Sequence, residues 1–208
     1  MSARQQHGLD FEDMIHRVVH GLPKKEYEKH IRGGPTAIFD IQKGCAGAAL
    51  NAHIKVTGSN AVGGSDILRM YESTQKYSLT FIIGKYKRRM GAKKVYEIYE
   101  FYLDPSQHHL LWGGMQFNSL EGFVTWVKNI RPGKAAQLTH QPLWKTKRAT
   151  IYEDEGRGVM SINAKIDSKS QRRVQCAFRI QDMIGVGIPY KKFTSEYRGI
   201  ANFLPQLI

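Results

Sequence analysis

Asp40 closes the apolar run PTAIFDI, and Lys55 sits inside the next run, NAHIKVT, with the small-residue linker KGCAGAAL between them. If the two runs are antiparallel neighbours, their ends share one edge of a sheet and a carboxylate meets an ammonium there. Period-two alternation places His53 and Lys55 on the same face of the second run and turns Ile54 to the other. A carboxylate, a backbone carbonyl and a lysine so arranged suit metal-assisted phosphodiester hydrolysis. Oxygen ligands hold a hard divalent cation, Mg²⁺ with Mn²⁺ as a possible substitute, while the lysine orients or activates the attacking water.

The elements that must position these residues follow from the pattern. In LDFEDMIHRVVHG, Phe11, Met14, Ile15, Val18 and Val19 form one apolar helical stripe, with Asp10 able to cap its start and Gly21 and Pro23 to stop it. On that reading Glu12 and Asp13 lie in the first turn, where the helix dipole favours a carboxylate. PTAIFDI and NAHIKVT read as buried strands. GGSDILRMYES is ambiguous between a short helix opened by Ser65 and an irregular strand, and its Asp66 is either a ligand or a turn or cap residue. SLTFIIGKYK and KKVYEIYEFYLD read as a hairpin turning at RRMGA. NSLEGFVTWVKNIRPG reads as a helix with Ser119 as its cap. GVMSINAKID and RRVQCAFRIQ form a second hairpin turning at SKSQ, and TSEYRGIANFLPQLI reads as a final helix. The order of helix, strands, helix, strands, helix fits an α/β or α+β sandwich around a mixed sheet better than a doubly wound fold. At 208 residues the chain has the length of one well-cored domain.

Thirty-one Lys and Arg against eighteen Asp and Glu give a formal net charge of +13, which favours a polyanionic partner, nucleic acid first. The stretch KYKRRMGAKK supplies Lys85, Lys87, Arg88, Arg89, Lys93 and Lys94 at an expected hairpin tip. WKTKRATIY adds Lys145, Lys147 and Arg148, and KSQRRVQ adds Arg172 and Arg173. Three basic loops separated by strands suggest a cleft lined for a duplex. No apolar run has the length of a bilayer span, and the N-terminus lacks the apolar core of a signal peptide, so the expectation is a soluble, intracellular, cytoplasmic protein without a membrane partner. Cys45 and Cys176 lack metal-ligand spacing and are expected to be small, buried or half-buried hydrophobes. His108-His109 is set aside as a metal pair, since adjacent strand residues point to opposite faces.

Three features together resemble the PD-(D/E)XK nuclease superfamily, which includes many type II restriction endonucleases and Holliday junction resolvases. They are HGLDFEDMI, similar to the superfamily's N-terminal helix with Glu12 at the place of its metal-site glutamate; Phe39-Asp40 at the place of the PD pair; and His53-Ile54-Lys55 at the place of (D/E)XK. The resemblance covers roughly the first third of the chain. It implies a restriction-endonuclease-like mixed central sheet flanked by helices, here with an additional C-terminal β-hairpin region. One nuclease-like domain over 1–208 would carry its catalytic elements at about 8–90 and the basic hairpins and C-terminal helix at 91–208. The implied activity is Mg²⁺-dependent cleavage of double-stranded DNA, sequence-specific, by a homodimer. Asp40, Lys55, His53 and Glu12 would be catalytic, with Asp40, Glu12 and Asp66 as metal ligands. The departure is His53, which stands where the superfamily has an acidic residue; it is either a weaker ligand, an acid/base group or an ordinary strand histidine. Two rival readings are a non-catalytic DNA-binding protein on the same fold, and a single-stranded RNA-binding protein using the aromatics of YEIYEFYLD.

Overall fold

The computed structural model describes residues 3–29, 37–89, 92–167 and 171–194. The chain is mixed α/β and divides into two compact units. One comprises Met1–Val62, Tyr77–Asp104 and Ile188–Ile208, the other Gly63–Lys76 and Pro105–Gly187.

The first unit begins with helix α1 (Ala3–His20) and the single turn α2 (Lys24–Tyr27). Gly21 ends α1 at φ 67°, its N–H reaching back to the Arg17 carbonyl at 3.0 Å, in the left-handed conformation that glycine adopts without strain. α1 starts earlier than the sequence pattern suggests. Asp10 therefore lies inside the helix instead of capping it, and Glu12 and Asp13 stand well past the first turn. The helix dipole gives no account of them there.

Strand β1 (Asn51–Thr57) runs parallel to β3 (Leu79–Arg89), which pairs antiparallel with β4 (Ala92–Leu103), and β4 with the short β7 (Tyr190–Phe193). The parallel register sets His53 beside Phe81, Ile54 beside Ile82 and Lys55 beside Ile83. Ala52, Ile54, Ile82 and Ile98 share one face, and onto it pack Phe11 and Ile15 of α1. The helix lies so close to β3 that a Cβ on Gly84 would stand 2.7 Å from the Phe11 ring; β3 needs a residue without a side chain at that point. The expected strand PTAIFDI forms a single antiparallel bridge, Ile41 to Ala52, with N···O distances of 3.0 and 2.9 Å. Its linker to β1 contains a 3₁₀ turn at Cys45–Gly47.

In the second unit, β2 (Ala61–Asp66, entering the unit at Gly63) leads into α3 (Ile67–Lys76). Short α4 (His108–Trp112), α5 (Phe117–Lys128) and the long α6 (Lys134–Glu155) precede the hairpin β5 (Ser161–Ile166) and β6 (Arg172–Arg179), and α7 (Ile180–Gly185) follows. The sheet order is β2-β6-β5. The stripe Phe123, Val124, Val127 and Ile130 is buried, as its spacing predicts, and Leu120 with it. Ser119 is not the cap, which is Gln116; instead the Ser119 hydroxyl and the Gln116 N–H donate to the two oxygens of Glu155, at the end of α6. A carboxylate at the start of α5 satisfies donors that the helix itself leaves open. WKTKRATIY is part of α6 and not a loop. His108 and His109 open α4 and are not on a strand, and the final helix expected from Thr194 onward falls almost wholly outside the described residues, as does most of the SKSQ turn. Cys176 is buried and Cys45 half-buried.

Candidate active site

The bridge between Ile41 and Ala52 anchors the segment that carries Asp40 along the outer edge of β1. Through one oxygen, Oδ2, the Asp40 carboxylate accepts the Ile54 N–H at 2.7 Å and the Lys55 ammonium at 3.0 Å. His53 Nδ1 stands 4.0 Å from the same oxygen. Among the described residues no hydrogen bond to Asp40 Oδ1 occurs, so that oxygen is the one open to a ligand. Burial alone would raise this carboxyl. The charge of Lys55, then His53 and the Ile54 N–H, outweigh it and hold Asp40 below the ordinary aspartate value. Asp40 is thus an anion at neutral pH, fixed in direction by two adjacent residues of one strand.

Glu12 arrives from α1, where the packing of Phe11 and Ile15 on the sheet fixes which way the intervening helix face turns. Its Oε2 pairs with Lys24 Nζ at 2.7 Å, and both side chains are mostly buried. Burial, followed by the negative charge of Asp40, raises the Glu12 carboxyl above its ordinary value, with Lys24 and Lys55 opposing. The two carboxylates therefore feel one another and share Lys55 as a counter-charge. Asp13, one residue on, serves the helix turn and not the site. It accepts the first backbone N–H of α2, from Lys24, at 2.8 Å and binds Arg17 at 2.7 Å.

His53 is 2 % exposed, with its ring stacked at 25° on Phe81 and tilted against Phe39. An imidazole so enclosed acts on the site through Asp40. Asp66 belongs to the second unit and caps α3, accepting the Arg69 N–H at 3.2 Å. The structure therefore gathers Glu12, Asp40, His53 and Lys55, and adds Lys24, which sequence reasoning missed. Its only advance signal was a lysine at the start of a short charged connection.

No group of three or more His, Cys, Asp and Glu side chains suited to a metal occurs among the described residues. Asp40 and Glu12 are the two carboxylates that could enter a divalent-cation site here, and Mg²⁺ usually takes one or two carboxylates and fills its remaining positions with water and substrate phosphate.

The sequence-predicted binding residues divide. Lys85 is tied to Glu97 at 3.4 Å and Asn60 at 3.1 Å, and Lys87 lies over the Tyr96 ring at 4.4 Å. Lys94 is exposed, whereas the side chains of Arg88, Arg89 and Lys93 lie outside the described residues. Lys145 is exposed on α6. Lys147 covers the Trp126 ring at 5.2 Å, and Arg148 covers Trp144 at 4.8 Å while donating to the Ile162 carbonyl at 3.3 Å. Arg172 is committed inward: its guanidinium donates to the carbonyls of Ile130, Arg131, Asp167 and Gln171 at 2.7–2.9 Å. Arg173 is exposed. Tyr99 and Phe101, central to an aromatic platform on β4, are buried.

Among the described residues no helix is long and apolar enough to cross a membrane. Compared with family models, with curated proteins and with solved structures, the chain matches none of them.

Proposed function

We propose that this chain is a metal-dependent endonuclease that hydrolyses phosphodiester bonds of double-stranded DNA, of the PD-(D/E)XK, restriction-endonuclease-like class. The observation that carries the reading is the double hold on Asp40, whose Oδ2 takes the Ile54 N–H and the Lys55 ammonium while α1 brings Glu12 into electrostatic reach of both. Supporting it are the antiparallel approach of the Asp40 segment to β1 and the parallel pairing of β3 with β1. That order places a carboxylate and a lysine on one sheet edge. Asp40 and Glu12 would hold the metal. When bound, Mg²⁺ or Mn²⁺ supplies polarisation of the scissile phosphate and acidification of an attacking water.

The chain's own groups act in different ways. Lys55 neutralises Asp40 and presents an ammonium to the non-bridging phosphate oxygens or to the attacking water. Its three donors let it keep Asp40 and contact substrate together. Lys24 holds Glu12 against the sheet. His53 is a positioning residue, its ring packed by Phe39 and Phe81 to fix the backbone that delivers the Ile54 N–H. Sequence specificity and a homodimer belong to the same proposal, since a palindromic site calls for two-fold symmetry.

One observation favours a second reading. His53, enclosed between aromatic rings where the superfamily has a carboxylate, leaves the site one hard ligand short, which suits a DNA-binding protein that does not cut. Supercoiled plasmid incubated with the protein in Mg²⁺, Mn²⁺ or EDTA separates the two. The nuclease reading expects nicked and linear products only with divalent metal. Duplex binding without products in either metal favours the second.

A further inference from the structure

The hairpin β5–β6 has two unlike faces. Ile162, Ala164 and Ile166 of β5 and Val174, Cys176 and Phe178 of β6 are buried. Arg172 shares their parity and reaches the turn between α5 and α6, so the helices cover this side. Gly64 belongs to it too, since a Cβ there would collide with Cys176 Sγ. The opposite parity gives Asn163, Lys165, Arg173 and Gln175, continued on β2 by Gly63 and Ser65. Among the described residues nothing lies within 4 Å of a Cβ built on Gly63; Gly63 and Arg173 are exposed and the rest half-exposed.

The register makes this face unusual. Asn163 stands directly opposite Gln175, and Lys165 directly opposite Arg173. Like charges opposed across an antiparallel pair destabilise a sheet; none of these six positions carries a carboxylate, and Asp167, the next residue of this parity after Lys165, accepts the Gln171 N–H at 2.9 Å at the turn. A polar sheet face, exposed or half-exposed at these positions and with two cations directly opposed, is complementary to a run of closely spaced anions.

We propose that this face binds the phosphate backbone of duplex DNA, with Lys165 and Arg173 straddling phosphates and Asn163 and Gln175 donating to phosphate or sugar oxygens. The proposal rests on the nuclease reading for the identity of the polyanion. It assigns Lys165, Asn163 and Gln175, which the basic clusters of the sequence did not single out, and it separates Arg173 from its neighbour Arg172.

The test uses the full chain in EDTA, so that cleavage plays no part, with a 30-base-pair duplex and a salt series. Lys165→Gln/Arg173→Gln should bind roughly tenfold more weakly, with the slope of log K against log salt shallower by about 2, one for each phosphate that the two cations neutralise in the wild type. Its urea midpoint should equal or exceed that of the wild type, because the opposed charges are gone. An unchanged slope in a folded double variant overturns the proposal, as does a wild type that does not bind the duplex. Should the variant fail to fold, acetylation of wild-type lysines decides: Lys165 protected by bound duplex supports the face, and Lys165 modified equally with and without duplex sinks it. A protein that binds duplex in this way but never cuts would remove the nuclease reading alone. One that cuts while the double variant keeps its salt slope would remove this proposal alone.

Discussion

Glu100 offers a quantitative check on the sheet that positions the site. It lies at the centre of β4, paired in register with Ile82 of β3 and Lys191 of β7, and is fully buried. Oε2 accepts the Tyr102 hydroxyl at 2.7 Å, while Oε1 has no partner among the described residues. Burial raises its carboxyl from 4.5 to about 7, against the opposing pull of the Tyr102 hydrogen bond and the Lys191 charge. A folded-state value above the unfolded one means that the native protein binds the extra proton. Stability is then full below about pH 4.5 and falls as pH rises towards 7. At about 1.4 kcal/mol per pH unit, the difference amounts to about 3 kcal/mol. Glu100→Gln keeps an acceptor for Tyr102 and removes the titration, at a pH-independent cost of about 1 kcal/mol for its unmatched amide. Urea unfolding of both proteins from pH 5 to 8.5 should show the glutamine variant gaining on the wild type by about 2.5 kcal/mol, most of it below about pH 7. A difference that stays flat with pH would refute the burial of an unpaired carboxyl at this point.

Three other perturbations reach the site or its scaffold. Gly84→Ala should drive a methyl into the Phe11 ring, cost about 1–3 kcal/mol in unfolding free energy and, by pushing α1 from the sheet, reduce plasmid cleavage through displaced Glu12. Lys55→Met should raise the Asp40 carboxyl, read by carbon NMR titration; the wild-type contribution of Asp40 to stability is present above the unfolded value of 3.8 and is lost as pH falls through its lower folded value. Arg172→Ala should lose about 2–4 kcal/mol of stability, because four carbonyls lose a charged donor that binds hairpin to helix turn, whereas Arg173→Ala should leave the unfolding free energy within about 0.5 kcal/mol of the wild type.

Much of the site was legible because its residues obey short-range rules. The alternation in NAHIKVT gives β1 its bounds and puts His53 and Lys55 on one face; the stripe from Phe11 to Val19 fixes α1 and the side from which Glu12 approaches. The antiparallel relation of the Asp40 segment to β1 was legible too, although only a single bridge forms. The capping residues were misplaced. Asp10 and Ser119 lie inside helices that begin earlier, since the stretch before Leu9 shows no apolar stripe and the carboxylate that satisfies the open donors at the start of α5 is that of Glu155, distant in sequence. WKTKRATIY is a basic stretch that composition presents as a loop but that lies in α6: Pro142 and Gly133 punctuate the helix, and its inward contacts come from Trp144, Arg148 and Tyr152 instead of a run of aliphatics. The inward duty of Arg172 and the pairing of Lys24 with Glu12 depend on tertiary contacts that no local pattern carries.

The central claim is that Asp40, Lys55 and Glu12 form one hydrolytic site. Single-turnover cleavage of an end-labelled duplex in Mg²⁺ tests it most directly, comparing wild type with Asp40→Asn, Lys55→Ala, Glu12→Gln and Asp66→Asn. Losing a group that acts on the reacting phosphate or water costs about 10²–10⁴-fold, so Asp40→Asn and Lys55→Ala should fall by at least about 100-fold. Glu12→Gln should fall by about tenfold or more, and Asp66→Asn, which keeps a capping oxygen, should cut at close to the wild-type rate. Equal rates in the wild type, Asp40→Asn and Lys55→Ala, with circular dichroism showing all three folded, would contradict the account.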